Sequence, residues 1–391
     1  MIYFDYAASA PCDPRVVKEI FPFFSQFYAN PSNSATEPGI AVSSAVQLAR
    51  NNVADFLGCL PQQIIWTSGA TESNNLALQG AIKAYYEKNS AGTRPHIITS
   101  SIEHKSVLET CRQLSKTAAE VSFIPPDKTG ATPPELIERA IKDNTFLVSI
   151  MMANNETGVL NDILSISKRC KQNQILVHTD ATQMVGKFRI NLKSLPVDFL
   201  SFSGHKIYGP KGVGVLYVRD ANTLQPVVFG GGQEEGLRSG TLNVPGIIGI
   251  SKACELLQAE HEEDNARIKY LRDMLENLLL HFDENIIING RENKRLPNIS
   301  SISFPVKEGI NFLNLINSQK VIACSSGSAC DSADNRPSHV MKEFGKTRHE
   351  AKNTLRISIG RFTTESEITR GAAHIIDLLK RITLGRKIGT G

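Results

Sequence analysis

Lys206 stands in the run Asp198 to Val215 (DFLSFSGHKIYGPKGVGV), where an apolar, strand-like segment breaks at Ser203 and delivers a lysine to a glycine-rich turn. A primary amine just past a strand end, beside small residues that let a flat ligand approach, is what a Schiff base with an aldehyde requires. Taken singly, it is one of 43 Lys and Arg residues, and most lysines lie on a solvated surface.

The surroundings favour chemistry. Gln174 to Asp180 reads as a short parallel strand buried on both faces, which puts Asp180 at its carboxyl end. Ligands of open α/β sheets bind at that edge. A carboxylate there can keep a pyridinium nitrogen protonated and make the ring an electron sink. Asp180 reads equally as a helix N-cap before Ala181-Thr-Gln183. A third segment, Ile64–Thr67, reads as a strand feeding Ser68-Gly-Ala-Thr71 and then a helical pattern from Leu76. Such a turn presents free backbone N–H groups and a positive dipole end to an anion. An amine, a carboxylate and a phosphate cradle together suit pyridoxal 5'-phosphate.

These elements, with Tyr3-Phe-Asp-Tyr-Ala-Ala8, Asn30-Pro-Ser32, Glu103-His104-Lys-Ser-Val107, Asn154-Asn-Glu156, Arg238-Ser-Gly-Thr241, Ser325-Ser-Gly-Ser-Ala-Cys330 and Arg356-Ile-Ser-Ile-Gly-Arg361, run in order almost end to end. The chain so resembles the cysteine desulfurases of the class V aminotransferases, fold-type I pyridoxal-phosphate enzymes. The resemblance implies that Lys206 binds the cofactor aldehyde, Asp180 pairs with the ring nitrogen and His104 stacks on the ring. It implies phosphate contacts from Ala70, Thr71, Ser203 and His205, and from Thr241 of a second subunit in a homodimer. Asn155 and Gln183 would bond the ring substituents, with Asn155 also near the substrate. Arg356 would clamp the substrate carboxylate, to which a guanidinium fork is matched.

Cys330 selects the reaction. Ser, Gly and Ala precede it and Asp331-Ser-Ala-Asp-Asn-Arg-Pro337 follows, a composition that reads as a loop on which a thiol can travel. The expected chemistry converts L-cysteine to L-alanine. Lys206 takes the α-proton, His104 shuttles protons for the thiols, and Cys330 receives the sulfur as a persulfide for an acceptor protein. A selenocysteine lyase, or another class V lyase or aminotransferase, is the alternative. Asp331 stands where housekeeping desulfurases usually carry threonine, Cys324 adds a second thiol, and the chain ends soon after its last expected helix. The first two bear on the dynamics and redox behaviour of the loop, and the ending tilts the acceptor toward a specialised pathway: DNA phosphorothioation, tRNA thiolation, a dedicated iron–sulfur system or cofactor thiolation. A passing iron–sulfur cluster on Cys330 is the one metal contact expected.

The elements that must position these groups alternate strand and helix from about residue 15 to 250, as a mostly parallel, doubly wound α/β sheet demands. The expected division is a large cofactor-binding unit over 15–255 and a smaller α+β unit formed by 1–14 and 256–391, carrying the cysteine loop at about 324–337. Lys252 to Phe282 has helical spacing and would bridge them. Thr364-Glu-Ser-Glu367 reads as the capping box of a last helix with Ile368, Ala372, Ile375 and Leu379 on one face. Seven scattered cysteines without a C-x-x-C pair argue against a disulfide framework and suit a reducing compartment. No secretory signal or membrane-length apolar run is visible, so a cytoplasmic enzyme with no membrane contact is expected. A net charge of +4 makes no case for direct nucleic-acid binding. Gly345-Lys-Thr347 looks like the tail of a nucleotide phosphate loop, but Val340 occupies the place of its first glycine.

Overall fold

A computed structural model describes residues 1–89, 92–326 and 337–383. Its strands are β1 (Ile2–Tyr3), β2 (Ile64–Thr67), β3 (His96–Ser100), β4 (Glu120–Ile124), β5 (Thr145–Ser149), β6 (Leu176–Asp180), β7 (Phe199–Ser203), β8 (Gly214–Val218), β9 (Ile287–Ile288), β10 (Ile299–Ser303), β11 (Ile322–Ala323) and β12 (Thr354–Ser358). Seven form one sheet in the order β2-β8-β7-β6-β5-β3-β4. All run in one direction except β8, which is antiparallel to both β2 and β7.

The central strands are continuous apolar runs because both faces of the sheet are covered. On β8, Val215 and Tyr217 enter one core while Leu216 and Val218 enter the other. On β7, Phe199 and Leu200 divide the same way. Helix α1 (Pro14–Ile20) is capped by Asp13, and α2 (Glu37–Leu57) lays Val42, Val46, Ala49 and Val53 on the first face. Helix α3 (Ala70–Lys88) covers the second face with Ala77, Leu78 and Ala81, and α4 (Lys105–Thr117) adds Val107 and Cys111. Each fully buried Leu, Ile or Phe contributes about 1.5–3 kcal/mol.

A second, smaller assembly has the antiparallel sheet β12-β10-β9 and the parallel pair β1–β11. Its core joins Ile2 and Phe4 to Phe304, Phe312, Ile357 and Ile375, so the first residues of the chain pack with the last. The helix Val244–Phe282, begun by Asn243 accepting from the Gly246 N–H, gives Ile247, Ile250 and Leu257 to the first core and Ile268, Leu271 and Leu275 to the second. The expected capping box opens the helix Glu365–Thr383: Thr364 Oγ1 accepts from the Glu367 N–H, and Glu367 Oε2 accepts from the Thr364 N–H. The four residues expected on its inner face all enter the second core. Among the described residues no helix is long and apolar enough to cross a membrane.

Candidate active site

The carboxyl ends of β2, β3, β5, β6 and β7 open on a cavity of about 510 Å³. Alanines 7 and 8 close one side, and Arg356 of β12 reaches in from the smaller assembly. Ten residues singled out in the sequence line it: Ala70 and Thr71 at the start of α3, His104 before α4, Asn155 after β5, Asp180 and Gln183 at the end of β6, Ser203, His205 and Lys206 after β7, and Arg356. They come from distant parts of the chain, and the parallel sheet gathers them because its strands end on one edge.

Strand β7 ends at Ser203, and a single 3₁₀ turn, Gly204–Lys206, turns the lysine toward the cavity. Its Nζ donates to the carbonyls of Ala7 at 2.5 Å and Ala8 at 2.7 Å. Gln183 Nε2 also donates to the Ala7 carbonyl, at 3.0 Å. The N-terminal segment therefore forms a wall whose backbone oxygens orient both side chains.

Helix α3 begins at Gly69 with no side chain capping it. Ala70 and Thr71 of its first turn line the cavity together with Ser203 and His205. Gly69 has φ +154°, and a Cβ on Gly214 would sit 2.5 Å from the Gly69 Cα, so only glycines permit this close approach. Burial, reinforced by Lys206 and Lys211, lowers the His205 pKa to about 4, leaving a neutral ring.

The helix expected after Asp180 does not form, since 182–187 are turns, so Asp180 is no helix N-cap. Its Oδ1 accepts from the Thr182 N–H at 2.9 Å, turning the chain, and its carboxylate lines the cavity. Its Oδ2 accepts from Asn74 Nδ2 at 2.8 Å. Behind it His178 is wholly buried between the Ser149 and Ser201 hydroxyls, and desolvation pulls its pKa down to about 4. His104 caps α4 by accepting from the Ser106 N–H at 3.2 Å. Burial lowers its pKa, the Lys206 charge works in the same direction, and Asp180 opposes both.

Arg356 is 3% exposed. It donates from Nη2 to Asp5 Oδ1 at 2.8 Å and from Nη1 to the Asn155 carbonyl at 2.9 Å, while its buried Nε–H has no protein partner. Thr241 is exposed and outside the cavity of its own chain. Cys330 lies outside the described residues. Cys324 is buried, and desolvation pushes its thiol up to about 12, which makes it a packing residue rather than a nucleophile.

Two contributors escaped sequence reading. Asn74 is fully buried on the inward side of α3, one turn after Ala70; a polar residue on an apolar helix face was the available signal. Asp5 stands in the Tyr3–Ala8 run but was given no role, because only the crossing of the N-terminal segment beside β12 brings it to Arg356.

A family model described as Aminotransferase class-V matches residues 2–370. The chain belongs to that family. Cysteine desulfurase IscS of Klebsiella pneumoniae subsp. pneumoniae is 44% identical over 389 residues, covering 98% of this chain and 93% of that protein. Among solved structures, a NifS-like protein superposes with a TM-score of 0.88 at 37% identity, covering 97% of this chain and 99% of the other. A structure of SspA in complex with cysteine superposes with a TM-score of 0.81 at 36% identity, covering 93% and 100%. Within the class-V aminotransferases the chain therefore falls among the cysteine desulfurases. The donor set fits the pyridoxal phosphate on which these families depend. The uncapped α3 start and Ser203 suit its phosphate, the Asp180 carboxylate its ring nitrogen, and the Lys206 amine its aldehyde.

Proposed function

We propose that this chain is a cysteine desulfurase that holds pyridoxal phosphate in this cavity and moves the sulfur of L-cysteine to Cys330. The convergence of Lys206, Asp180 and the uncapped α3 N-terminus on one cavity, with Arg356 at its edge, carries the reading. Ala70, Thr71, Ser203 and His205 would hold the phosphate, Asp180 the ring nitrogen, His104 the ring face, and Asn155 and Gln183 the ring substituents. When bound, the cofactor supplies an electron sink for the bond-breaking steps at the substrate.

Arg356 receives the substrate carboxylate on the N–H groups that Asp5 and Asn155 leave uncommitted, and so sets the amino acid's orientation. Lys206 Nζ is the base for the α-proton. Neutral His104, buried at the cavity wall, holds a proton at a ring nitrogen for exchange with the substrate sulfur. The Cys330 thiolate attacks that sulfur. One C–S bond breaks, one S–S bond forms, the substrate β-carbon gains a proton in place of the sulfur, and Lys206 returns the α-proton to complete alanine. An acceptor thiol then removes the outer sulfur; which pathway it serves is open to the candidates drawn from the sequence.

Residues 15–255 would form the cofactor-binding unit, and 1–14 with 256–391 the smaller one; the two halves of the long helix join separate cores, with Ile2 and Phe4 in the smaller and Tyr6 and Ala10 in the larger. A homodimer is supported by exposed rings at Phe21, Phe24, Phe27 and Tyr28, and by a Thr241 that lies outside its own cavity. The six cysteines among the described residues are all unpaired, in keeping with a cytoplasmic setting.

The test is direct. Purified chain incubated with L-cysteine should release alanine in step with a Cys330 peptide heavier by one sulfur atom. Lys206→Ala should abolish both products, and Cys330→Ala should abolish the persulfide. Alanine formation without any sulfur on Cys330 rejects the transfer route.

A further inference from the structure

Asn74 donates both hydrogens of its amide. One goes to Asp180 Oδ2 at 2.8 Å and the other to Ser106 Oγ at 2.8 Å. Its own Oδ1 is buried without a partner, so the side chain serves purely as a donor between two acceptors. Its orientation is forced, because an ionised carboxylate only accepts.

The polarity of the next link follows. His104 Nδ1 accepts from the Ser106 backbone N–H at 3.2 Å, so Nδ1 carries a lone pair and no hydrogen. The Ser106 hydroxyl, 2.8 Å from the same nitrogen, must therefore be the donor there. It is free to donate because its oxygen is already satisfied by Asn74. The chain of bonds runs in one direction, from Asn74 through Ser106 to His104.

We propose that Asn74 is a positioning residue that fixes His104 in the tautomer with its hydrogen on Nε2 while holding Asp180 through its other amide hydrogen. One buried amide thus ties the group meant for the cofactor ring nitrogen to the group meant for the substrate thiol. Neutral His104 offers a hydrogen at Nε2 and has no vacant lone pair, so it is built as a donor. It takes up a proton only when the Ser106 hydroxyl and N–H turn away from Nδ1. The charged and titratable groups acting on it are Asp180 from β6, Lys206 from the turn after β7, His339 from the helix His339–Glu343 and Lys105 from α4.

The inference rests on the reading of His104 as a proton-handling group, but its test does not depend on turnover. Full-length chain with ring-¹⁵N histidine, loaded with pyridoxal phosphate, is followed by NMR from about pH 5 to about pH 9, across the range where histidine titrates. The His104 signals are assigned by their loss in His104→Gln. In the unaltered chain, neutral His104 should show hydrogen on Nε2 and an accepting Nδ1. Asn74→Asp has nearly the same shape but reverses the relay, since its carboxyl oxygen accepts from the Ser106 hydroxyl and frees that oxygen to receive Nδ1–H. The ratio of Nδ1–H to Nε2–H forms should then rise about tenfold. Ser106→Ala removes one donor to Nδ1 and should raise the proton affinity of His104 about fivefold, because a bond donated to the neutral form no longer has to be broken. An Asn74→Asp chain that keeps the Nε2–H tautomer with an unchanged titration midpoint overturns the proposal. Failure of the unaltered chain to make alanine from L-cysteine defeats the functional reading instead, and the NMR result still decides this one.

Discussion

Asp5 Oδ1 lies 2.8 Å from Arg356 Nη2, so the guanidinium proposed for the substrate carboxylate is already aimed by a carboxylate from the opposite end of the chain. The fork is held rigid on one edge and keeps N–H groups on the other. A lysine here keeps the charge but has no planar fork to share between Asp5 and a substrate. Arg356→Lys should raise the KM for L-cysteine by on the order of ten- to a hundredfold, with a smaller fall in kcat. Steady-state alanine production measures this, and a KM within twofold of the parent rejects the assignment.

Cys324 should be silent. Burial pushes its thiol up to about 12 and so holds it protonated at neutral pH. A maleimide pulse on folded protein should leave Cys324 unlabelled, and Cys324→Ala should retain full desulfurase rate. A large loss of persulfide transfer in that variant would instead make it a working thiol.

The segment leading to Thr241 is anchored by Glu234, whose carboxylate meets Arg50 at 2.6 Å and accepts from the Trp66 N–H at 2.8 Å. Glu234 and Glu235 both adopt left-handed φ, +52° and +56°, a strain tolerated only where such contacts enforce it. Glu234→Ala leaves the part-buried Arg50 without its carboxylate and the buried Trp66 N–H without its acceptor, and should cost about 1–3 kcal/mol in urea unfolding. A loss below 1 kcal/mol shows that the pair does not hold the segment.

Much of the architecture was legible because it is written in local pattern. Ile64–Thr67 is a strand with the limits read from the sequence, and the apolar run after Asp198 is a strand that ends where it was expected to break, at Ser203. Thr364 and Glu367 carry a capping signature, and the helix begins there. Lys206 and Asp180 were legible as candidates because strand ends in a parallel sheet share one edge. The run holding Asp5 and Ala7 was noticed, but their parts were not legible, since these depend on where the N-terminal segment crosses. Asn74 was missed because polar residues early in a helix usually face solvent, whereas this one faces inward.

Glu103 is fully buried behind the cavity, accepting from the Met151 N–H while its other oxygen has no partner. Burial raises its pKa well above 4.5, and Asp180 adds to the rise. The folded state therefore keeps a proton that the unfolded chain releases above about pH 4.5, and the stability this proton contributes is lost as pH rises. Glu103→Gln copies the protonated shape without the titration. Its stability advantage over the parent should grow from near zero at about pH 4.5 to about 1–3 kcal/mol at about pH 8. Urea denaturation at both values checks this, and a gap independent of pH rejects a protonated Glu103.

His178 should titrate stability in the opposite direction. It sits wholly buried between β5 and β7, bonded to the Ser149 hydroxyl at 2.8 Å and the Ser201 hydroxyl at 3.1 Å. Desolvation depresses its pKa from 6.5 to about 4, with Asp180 opposing the shift. Above about pH 6.5 the ring is neutral in folded and unfolded chains alike, and its contribution is fully present. As pH falls from about 6.5 toward about 4, the unfolded chain binds a proton that the folded one refuses, so stability is lost over that window. The loss attributable to this residue should reach about 1–3 kcal/mol near pH 4. His178→Gln keeps one polar contact but cannot titrate, so its unfolding free energy should fall less steeply than the parent's between about pH 6.5 and about pH 4.5. Parallel slopes in the two proteins would place the acid sensitivity of this fold elsewhere.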